Sequence, residues 1–134
     1  MAPALFQSTT IPLLEQVVNF TQARHGVLAG NLANLDTPGY KARDLSPELF
    51  EERLKEAVDT SRYAMPGDSS ETGYDRFAEV KQSMKSILYH DQSDVSLEQQ
   101  VMEISKNQMR HNLALTIMTN QFRLLQAAIS EQVV

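Results

Sequence analysis

The strongest constraint on this 134-residue chain is a rigid stop placed directly after a long helical pattern. Pro38 fixes its own φ and biases Thr37 away from the α region, so the preceding helix should end near Leu35 or Asp36. Pro38 and Gly39 fit the two central positions of a type II turn, the second of which needs a positive φ. The sequence therefore predicts a helix, a stop and a tight turn, in that order.

The side chains around this stop are two amides and one aromatic ring. Asn31 and Asn34 lie three residues apart on one helix face, and each amide can both donate and accept hydrogen bonds. Either of them could be an ordinary surface or capping residue. Tyr40 follows the turn, where it either covers the end of a helix pair or anchors the chain in a neighbouring subunit. Both interpretations of Tyr40 stay open at the level of sequence.

Residues 11–36 have the periodicity of an amphipathic N-terminal helix. Seam positions alternate at spacings of three and four, the pattern of a coiled coil, and six of the eight are apolar. This seam consists of Ile11, Leu14, Val18, Thr21, His25, Leu28, Leu32 and Leu35.

Residues 94–131 repeat this periodicity over a longer stretch and predict a C-terminal helix. A main apolar row is flanked by a second one, so the stripe is wider than a single partner helix requires. No acidic side chain occurs from residue 105 to residue 130. Such a surface suits packing against several neighbours, and we take the main row as the face for assembly. Its apolar residues are Leu97, Val101, Ile104, Leu115, Met118, Phe122, Leu125 and Ile129. The second row comprises Met102, Met109, Leu113, Ile117, Leu124 and Ala128.

The middle of the chain, residues 37–93, predicts a turn, short helices and a loop. Ser46-Pro47 opens a short helix over 47–58, residues 59–75 have the composition of a loop, and residues 76–89 could form another helix. No strand is strongly predicted. The expected fold class is therefore mainly α, a single unit over residues 1–134 in which the two terminal helices pair as an antiparallel coiled coil.

The two predicted helices differ in length. At 1.5 Å per residue the first spans roughly 37 Å and the last roughly 57 Å, so pairing leaves roughly 20 Å of the last helix without its partner. The middle segment or adjacent copies of a subunit could cover that remainder. Our hypothesis is that the termini are poorly ordered alone and fold on assembly.

Composition and motifs argue against several classes of function. The chain has no cysteine, and its net charge of −5 arises from an acidic middle between two nearly neutral ends. No basic patch is available for nucleic acid, and no apolar run is long enough for a signal peptide or a membrane span. The three histidines lack ligand spacing, and no nucleophile motif or phosphate loop occurs. We therefore expect no catalytic residues, no cofactor, no metal and no direct membrane insertion.

The motif at the helix end resembles a known signature. Eight positions within twelve residues are similar to the motif shared by the axial proteins of the bacterial flagellum, which are rod, hook and hook–filament junction proteins. These positions are Ala29, Asn31, Ala33, Asn34, Thr37, Pro38, Gly39 and Tyr40. Residues 40–44 and 94–98 resemble the short proximal-rod members of this family, and a second type of short rod protein is the nearest alternative. Residues 91–94 lack the glycine of the Asp-Gly-Asn that the family often has there.

This resemblance implies a structural subunit that stacks helically into the periplasmic rod of the flagellar basal body. It implies as partners copies of the chain, other rod proteins, and rod-base, membrane-ring and export-gate proteins. It also implies export by the flagellar type III apparatus without a cleaved signal peptide. The expected assembly motif is formed by Asn31, Asn34, Thr37, Pro38, Gly39 and Tyr40. The alternatives are a soluble helical-hairpin adaptor or export chaperone that binds a partner helix, and an amphipathic protein of the membrane surface.

Overall fold

The structure is a computed structural model that describes residues 10–63, 88–90 and 96–131. Its elements are α1 (Ile11–Ala33), β1 (Arg43–Leu45), α2 (Pro47–Tyr63), β2 (Leu88–His90) and α3 (Leu97–Glu131). The long N-terminal helix packs against the long C-terminal helix, and the shorter elements lie between them in sequence. The expected fold class, mainly α with a paired helical hairpin, is confirmed.

The first helix ends at Ala33, three residues earlier than predicted. The side-chain amide of Asn34 donates to the carbonyl oxygen of Gly30 at 2.8 Å, while the backbone carbonyl oxygen of Asn34 accepts from the backbone N–H of Thr37 at 3.0 Å. Asn34 is therefore the C-cap of the helix, because its side chain binds a carbonyl oxygen of the last turn. The helix ends before Pro38 would interrupt it.

The C-terminal helix begins at Leu97, three residues later than the predicted start at residue 94. The Ser96 hydroxyl accepts a hydrogen bond from the backbone N–H of Gln99 at 3.2 Å, and Glu98 supplies an acid in the first turn. Both features satisfy or complement the exposed N–H groups at a helix start. The local capping chemistry therefore places the boundary, which the apolar periodicity alone did not.

The middle helix α2 is longer than predicted, since it continues to Tyr63 where a loop was expected from residue 59. Its start agrees with the prediction, because the Ser46 hydroxyl accepts from the N–H of Leu49 at 3.2 Å, as an N-cap does. No glycine or proline interrupts the chain between Pro47 and Pro66, so nothing stops the helix at residue 58. The rest of the predicted loop, residues 64–75, lies outside the described residues.

Two short strands that the sequence did not predict pair antiparallel. β1 and β2 align Arg43 with His90, Asp44 with Tyr89 and Leu45 with Leu88. The helix predicted over 76–89 is therefore wrong at residues 88 and 89, and its other residues lie outside the described part of the chain. Three-residue strands carry too short a pattern to be recognised from alternation alone.

An apolar core joins α1 and α2. The rings of Phe20 and Phe50 stack with centroids 4.1 Å apart and planes 8° from parallel, beside buried Leu45 and Ala57. Because stacked rings combine large apolar burial with a favourable geometry, this contact fixes α2 against the first helix.

The seam between α1 and α3 is more polar than the sequence predicted. The buried residues of α3 are Gln100, Asn107 and Ala114, seven residues apart, whereas Leu97, Val101 and Leu115 of the predicted main row are exposed. The true seam is rotated away from the main apolar row, because amide and charged partners on α1 draw the polar positions of α3 inward. On α1, Ile11, Leu14, Thr21 and Leu28 of the predicted seam are buried, but His25, Leu32 and Leu35 are exposed.

Candidate assembly site

The predicted turn is present. Gly39 has a φ of 76°, and the N–H of Tyr40 donates to the carbonyl oxygen of Thr37 at 3.2 Å, which closes the turn around Pro38 and Gly39. The Thr37 hydroxyl also donates to the side-chain oxygen of Asn34 at 3.3 Å. A backbone with positive φ at Gly39 is one that other L residues adopt only with strain, so the glycine is required by the turn itself.

Asn31 is the hydrogen-bonding centre of this site. It is 3% exposed, and its side-chain oxygen accepts from the backbone N–H of Arg43 at 3.0 Å and from the Tyr40 hydroxyl at 3.1 Å. Its NH₂ group donates to the carbonyl oxygen of Arg43 and to Oε1 of Gln100, the latter at 3.3 Å. One amide thus binds both backbone groups of Arg43, joining the chain after the turn to α1 and, through Gln100, to α3.

Tyr40 therefore folds back onto its own chain. Its ring is half-buried, its hydroxyl is held by Asn31, and that hydroxyl lies 3.9 Å from where a Cβ on Gly30 would be. This position agrees with a residue that covers the end of α1. Its second predicted role, as an anchor in a neighbouring subunit, stays a prediction.

An ion cluster around the buried Arg24 lies two helical turns from Asn31 along α1. Arg24 is 3% exposed, and it binds both carboxylate oxygens of Asp44, with Nε 2.9 Å from Oδ1 and Nη2 2.8 Å from Oδ2. The same Nη2 donates to Oε2 of Glu103 at 2.9 Å. Arg24 thereby connects α1, β1 and α3 through two carboxylates. The planar guanidinium suits this arrangement, because it can bind one acid bidentately and still reach a second.

The charges of this cluster stabilise one another. Burial by itself lowers the pKa of Arg24, but hydrogen bonds and charge from Asp44 and Glu103 outweigh it and raise the pKa above its ordinary value. Burial likewise raises the pKa of Glu103, yet hydrogen bonds and charge from Arg24 and Lys106 reverse the sign, so the pKa is lowered. Both groups are therefore held in their charged forms.

A third polar contact lies further along the seam. Asn107 is 1% exposed and donates from Nδ2 to the carbonyl oxygen of Thr21 at 2.7 Å, while the Thr21 hydroxyl and Nδ1 of His111 are hydrogen-bonded at 2.8 Å. His111 is therefore a half-buried, hydrogen-bonded residue at the contact between α1 and α3. Within the described ranges, no group of His, Cys, Asp or Glu is arranged to hold a metal ion.

Sequence reasoning found the Asn31 site but missed the Arg24 cluster. The available signal was a single arginine, Arg24, among the apolar positions of α1. Two acids that could pair with it are Asp44, just after the turn, and Glu103, in the first half of α3. The proximity of Arg24, Asp44 and Glu103 depends on the register of the two long helices and on the position of β1. The sequence alone predicts neither.

The predicted assembly motif comes together around one helix end, whereas the predicted assembly face is divided. Of that face, Ile104, Met118 and Leu125 are half-buried, while Leu97, Val101, Leu115, Phe122 and Ile129 are exposed. The role of both sets in assembly stays a prediction.

The Asn31 site predicts a strong effect of one substitution. Asn31→Asp replaces two donors by acceptors that face the Arg43 carbonyl and Gln100, so we expect a loss of about 2–4 kcal/mol in the free energy of unfolding. Urea unfolding followed by circular dichroism measures this. The matched control is Asn120→Asp on an exposed part of α3, for which we expect a change below about 0.5 kcal/mol. Equal effects would contradict the assigned role of Asn31.

The ion cluster predicts a pH dependence of stability. Because the pKa of Glu103 is lower in the folded chain than its ordinary value of 4.5, its contribution is complete above that pH. The contribution is lost as the pH falls through the lowered folded value. We expect the free energy of unfolding to fall more steeply in the native chain than in Glu103→Gln between about pH 6 and about pH 3. Glu98→Gln, on the exposed first turn of α3, is the control. Identical slopes for the native chain and Glu103→Gln would contradict the cluster.

Comparison with known proteins identifies the relatives of this chain. No model of a protein family matches it. The flagellar basal body rod protein FlgB of Aquifex aeolicus is 31% identical over 120 residues, which cover 89% of this chain and 91% of the relative. The proteins of the same name from Borrelia hermsii and Salmonella typhimurium are 26% and 25% identical, over 90% and 81% of this chain and 95% and 84% of the relatives. In the part of the chain that the structure describes, no helix has the length and hydropathy to cross a membrane. The similarity extends over nearly the whole length on both sides, and the chain belongs to the FlgB family of flagellar basal body rod proteins.

Proposed function

We propose that this chain is a structural subunit of the flagellar basal body rod, and that copies of it pack helically with other rod proteins into the shaft that crosses the periplasm. The observation that carries this proposal is that different surfaces of the chain are available for different contacts. The helices pair through buried polar contacts at Arg24, Asn31 and Thr21, while most of the large apolar side chains of α3 remain exposed.

The exposed apolar surface of α3 supports assembly because it is more extensive than is usual for a helix without contacts to other molecules. Ten large apolar residues of α3 are exposed, and they occupy both rows of the predicted stripe. They are Leu97, Val101, Met102, Met109, Leu113, Leu115, Ile117, Phe122, Leu124 and Ile129. Extended apolar patches on a protein surface mark contacts with other molecules, and patches on several sides of one helix suit several neighbours.

The polar seam supports a mechanical role. Buried hydrogen bonds and ion pairs tolerate only one register between two helices, because a shift leaves buried donors and charges without partners. A shaft that carries torque needs subunits whose own helices do not slide. In this proposal the apolar rows join subunits, and the polar seam keeps each subunit rigid.

The family membership supports the location and the partners. We infer that the chain functions in the basal body together with copies of itself, other rod proteins, and the rod-base, membrane-ring and export-gate proteins. We also infer that it leaves the cytoplasm through the flagellar export apparatus without a cleaved signal peptide. The relatives carry the name of a rod protein, which favours a role without catalysis or cofactor.

A deletion in the motif tests this proposal. In a bacterium whose only copy of the subunit is this chain, we expect removal of residues 37–40 to abolish swimming and the formation of rods. The deletion takes away the turn and the Tyr40 contact, so the chain after it no longer reaches Asn31. Swimming in soft agar and electron microscopy of isolated basal bodies are the measurements.

The control is a deletion of equal length at residues 68–71, in the segment whose composition predicts a loop. We expect this variant to swim. Normal motility of the 37–40 deletion would contradict the role of the motif, and basal bodies that form fully without the chain would contradict the proposed function.

A further inference from the structure

Apart from Glu103, the buried and half-buried positions of α3 form one regular strip along the helix. They recur at alternating spacings of four and three residues, as in the seam of a coiled coil, and they make up two columns. The first, called here the polar column, consists of Gln100, Asn107, Ala114 and Gln121. The second, called here the shared column, consists of Ile104, His111, Met118 and Leu125. The apolar members of the shared column also belong to the main apolar row predicted from the sequence.

A third column lies on the other side of the shared column, and its residues are exposed. Between residues 100 and 118 this exposed column consists of Val101, Gln108 and Leu115. In the register that the contacts between α1 and α3 set, these residues lie at the levels of Leu28, Thr21 and Leu14, in that order. The exposed column therefore matches three buried residues of α1 in polarity, apolar with apolar and amide with hydroxyl.

The polar column packs against α1 with one group unpaired. Asn107 donates from Nδ2 to the carbonyl oxygen of Thr21 at 2.7 Å, but its buried Oδ1 has no hydrogen-bond partner among the described residues. A buried acceptor without a donor lowers stability, because water would bind it at an exposed position. Asn107 therefore opposes the observed position of α3, and burial of Val101 and Leu115 would favour a different one.

Two contacts hold α3 in the observed position against these costs. Oε2 of Glu103 accepts from Nη2 of the buried Arg24 at 2.9 Å, and Oε1 of Gln100 accepts from Nδ2 of Asn31 at 3.3 Å. Glu103 and Gln100 lie on the side of α3 away from the exposed column. A rotation that brings the exposed column inward would turn both of them away from their partners. The contact of Arg24 with Glu103 is the stronger of the two, because both groups are charged.

We propose that α3 has a second packing position on α1, reached by a rotation of roughly 50° about its own axis with the shared column as the pivot. In this position the exposed column replaces the polar column against α1, so that Leu115 leaves water and Asn107 reaches it. The ion pair of Arg24 with Glu103 keeps the chain in the observed position. α3 is thus an element with two discrete arrangements on one partner. This property belongs to a single chain and does not depend on the proposed function.

Paired cysteine probes distinguish a rotation from an opening of the helix pair, and the chain has no cysteine of its own to interfere. Ala114, 3% exposed, and Leu115, 40% exposed, are adjacent residues of the polar and the exposed column. Ala114→Cys and Leu115→Cys are made separately in the full-length chain, and alkylation by N-ethylmaleimide is timed by mass spectrometry. Without further changes, we expect the thiol at position 114 to react about tenfold more slowly, because a buried group reacts only through local opening.

Two further substitutions should favour the rotated position. Gln108→Leu adds an apolar residue to the exposed column without touching the ion cluster, and Glu103→Gln weakens the bond to Arg24. With either change, we expect alkylation to become several-fold faster at position 114 and several-fold slower at position 115. Asn107→Leu acts in the opposite direction, because it removes the unpaired acceptor and would expose a leucine after rotation. Added to either variant, it should restore the original rates.

The matched control is Thr116→Leu, which adds a leucine on another exposed side of α3 and should change neither rate. Opposite changes at positions 114 and 115 would support the second position. Faster alkylation at both positions would show that the helix pair opens, and unchanged rates would show that α3 has one position, so either result would overturn the proposal. Gln108→Leu alters only an exposed residue, so the test stands even where Glu103→Gln unfolds the chain.

Discussion

The arrangement of this molecule depends on the ion pairs that Arg24 forms with Asp44 and Glu103. A guanidinium buried in the middle of a helix is costly unless carboxylates surround it, and here Asp44 and Glu103 do so from two other elements. Asp44 reaches it only if the chain turns back after α1, and Glu103 reaches it only in one register of α3. Loss of either acid would leave a buried positive charge with half of its partners.

The turn and the seam are linked through the same elements. Asn31 binds both backbone groups of Arg43, and the next residue, Asp44, binds Arg24, so the strand after the turn is fixed at two adjacent points. Gln100 and Glu103, one turn apart on α3, receive hydrogen bonds from Asn31 and Arg24 respectively. The turn around Pro38 and Gly39 therefore does more than connect two elements. It places Arg43 and Asp44 where they help to fix the register of the two long helices.

A polar cleft of about 240 Å³ lies beside these contacts, and Arg24, Asn31 and Glu103 are among its lining residues. Its polar groups are the ones that hold the helices in register, which is consistent with a structural use. An apolar groove of about 290 Å³ between the three helices, with Phe20, Phe50 and Leu113 among its lining residues, lies further along the same side of α3 and has the opposite character. α3 thus buries Gln100 and Asn107 against its own chain while ten of its large apolar side chains are exposed, which is unlike the usual distribution in a monomeric globular protein.

Much of this structure follows from the sequence, because its main signals are local. The two long helices, the N-cap of α2 at Ser46 and the turn at Pro38-Gly39 each depend on residues close together in the chain. The strand pairing of Arg43 with His90 depends on residues far apart, and three-residue strands carry no usable pattern. The extension of α2 to Tyr63 was missed because the loop indicated by the Pro- and Gly-containing stretch at residues 66–73 was taken to begin at residue 59, although no helix breaker lies between residues 59 and 63.

The seam itself shows the limit of apolar periodicity as a guide. The residues of α3 that are buried are Gln100, Asn107 and Ala114, and none of them belongs to either apolar row that the sequence indicated, although they are spaced seven apart. Periodicity identifies which residues are apolar on one face of a helix, but it does not say whether another part of the same chain or another molecule covers them. The single arginine and the amides of α1 indicate which side of α3 faces α1, because buried polar groups require partners.

The central claim is that the buried polar contacts of α3 with α1 order the first half of α3 within one molecule. Hydrogen exchange of a verified monomer, measured by mass spectrometry, tests this claim most directly. The account predicts slow exchange over residues 100–114, which hold the buried polar contacts, and faster exchange over residues 120–131, whose side chains are exposed or half-buried. Uniformly slow exchange along the whole of α3 in the monomer would contradict it.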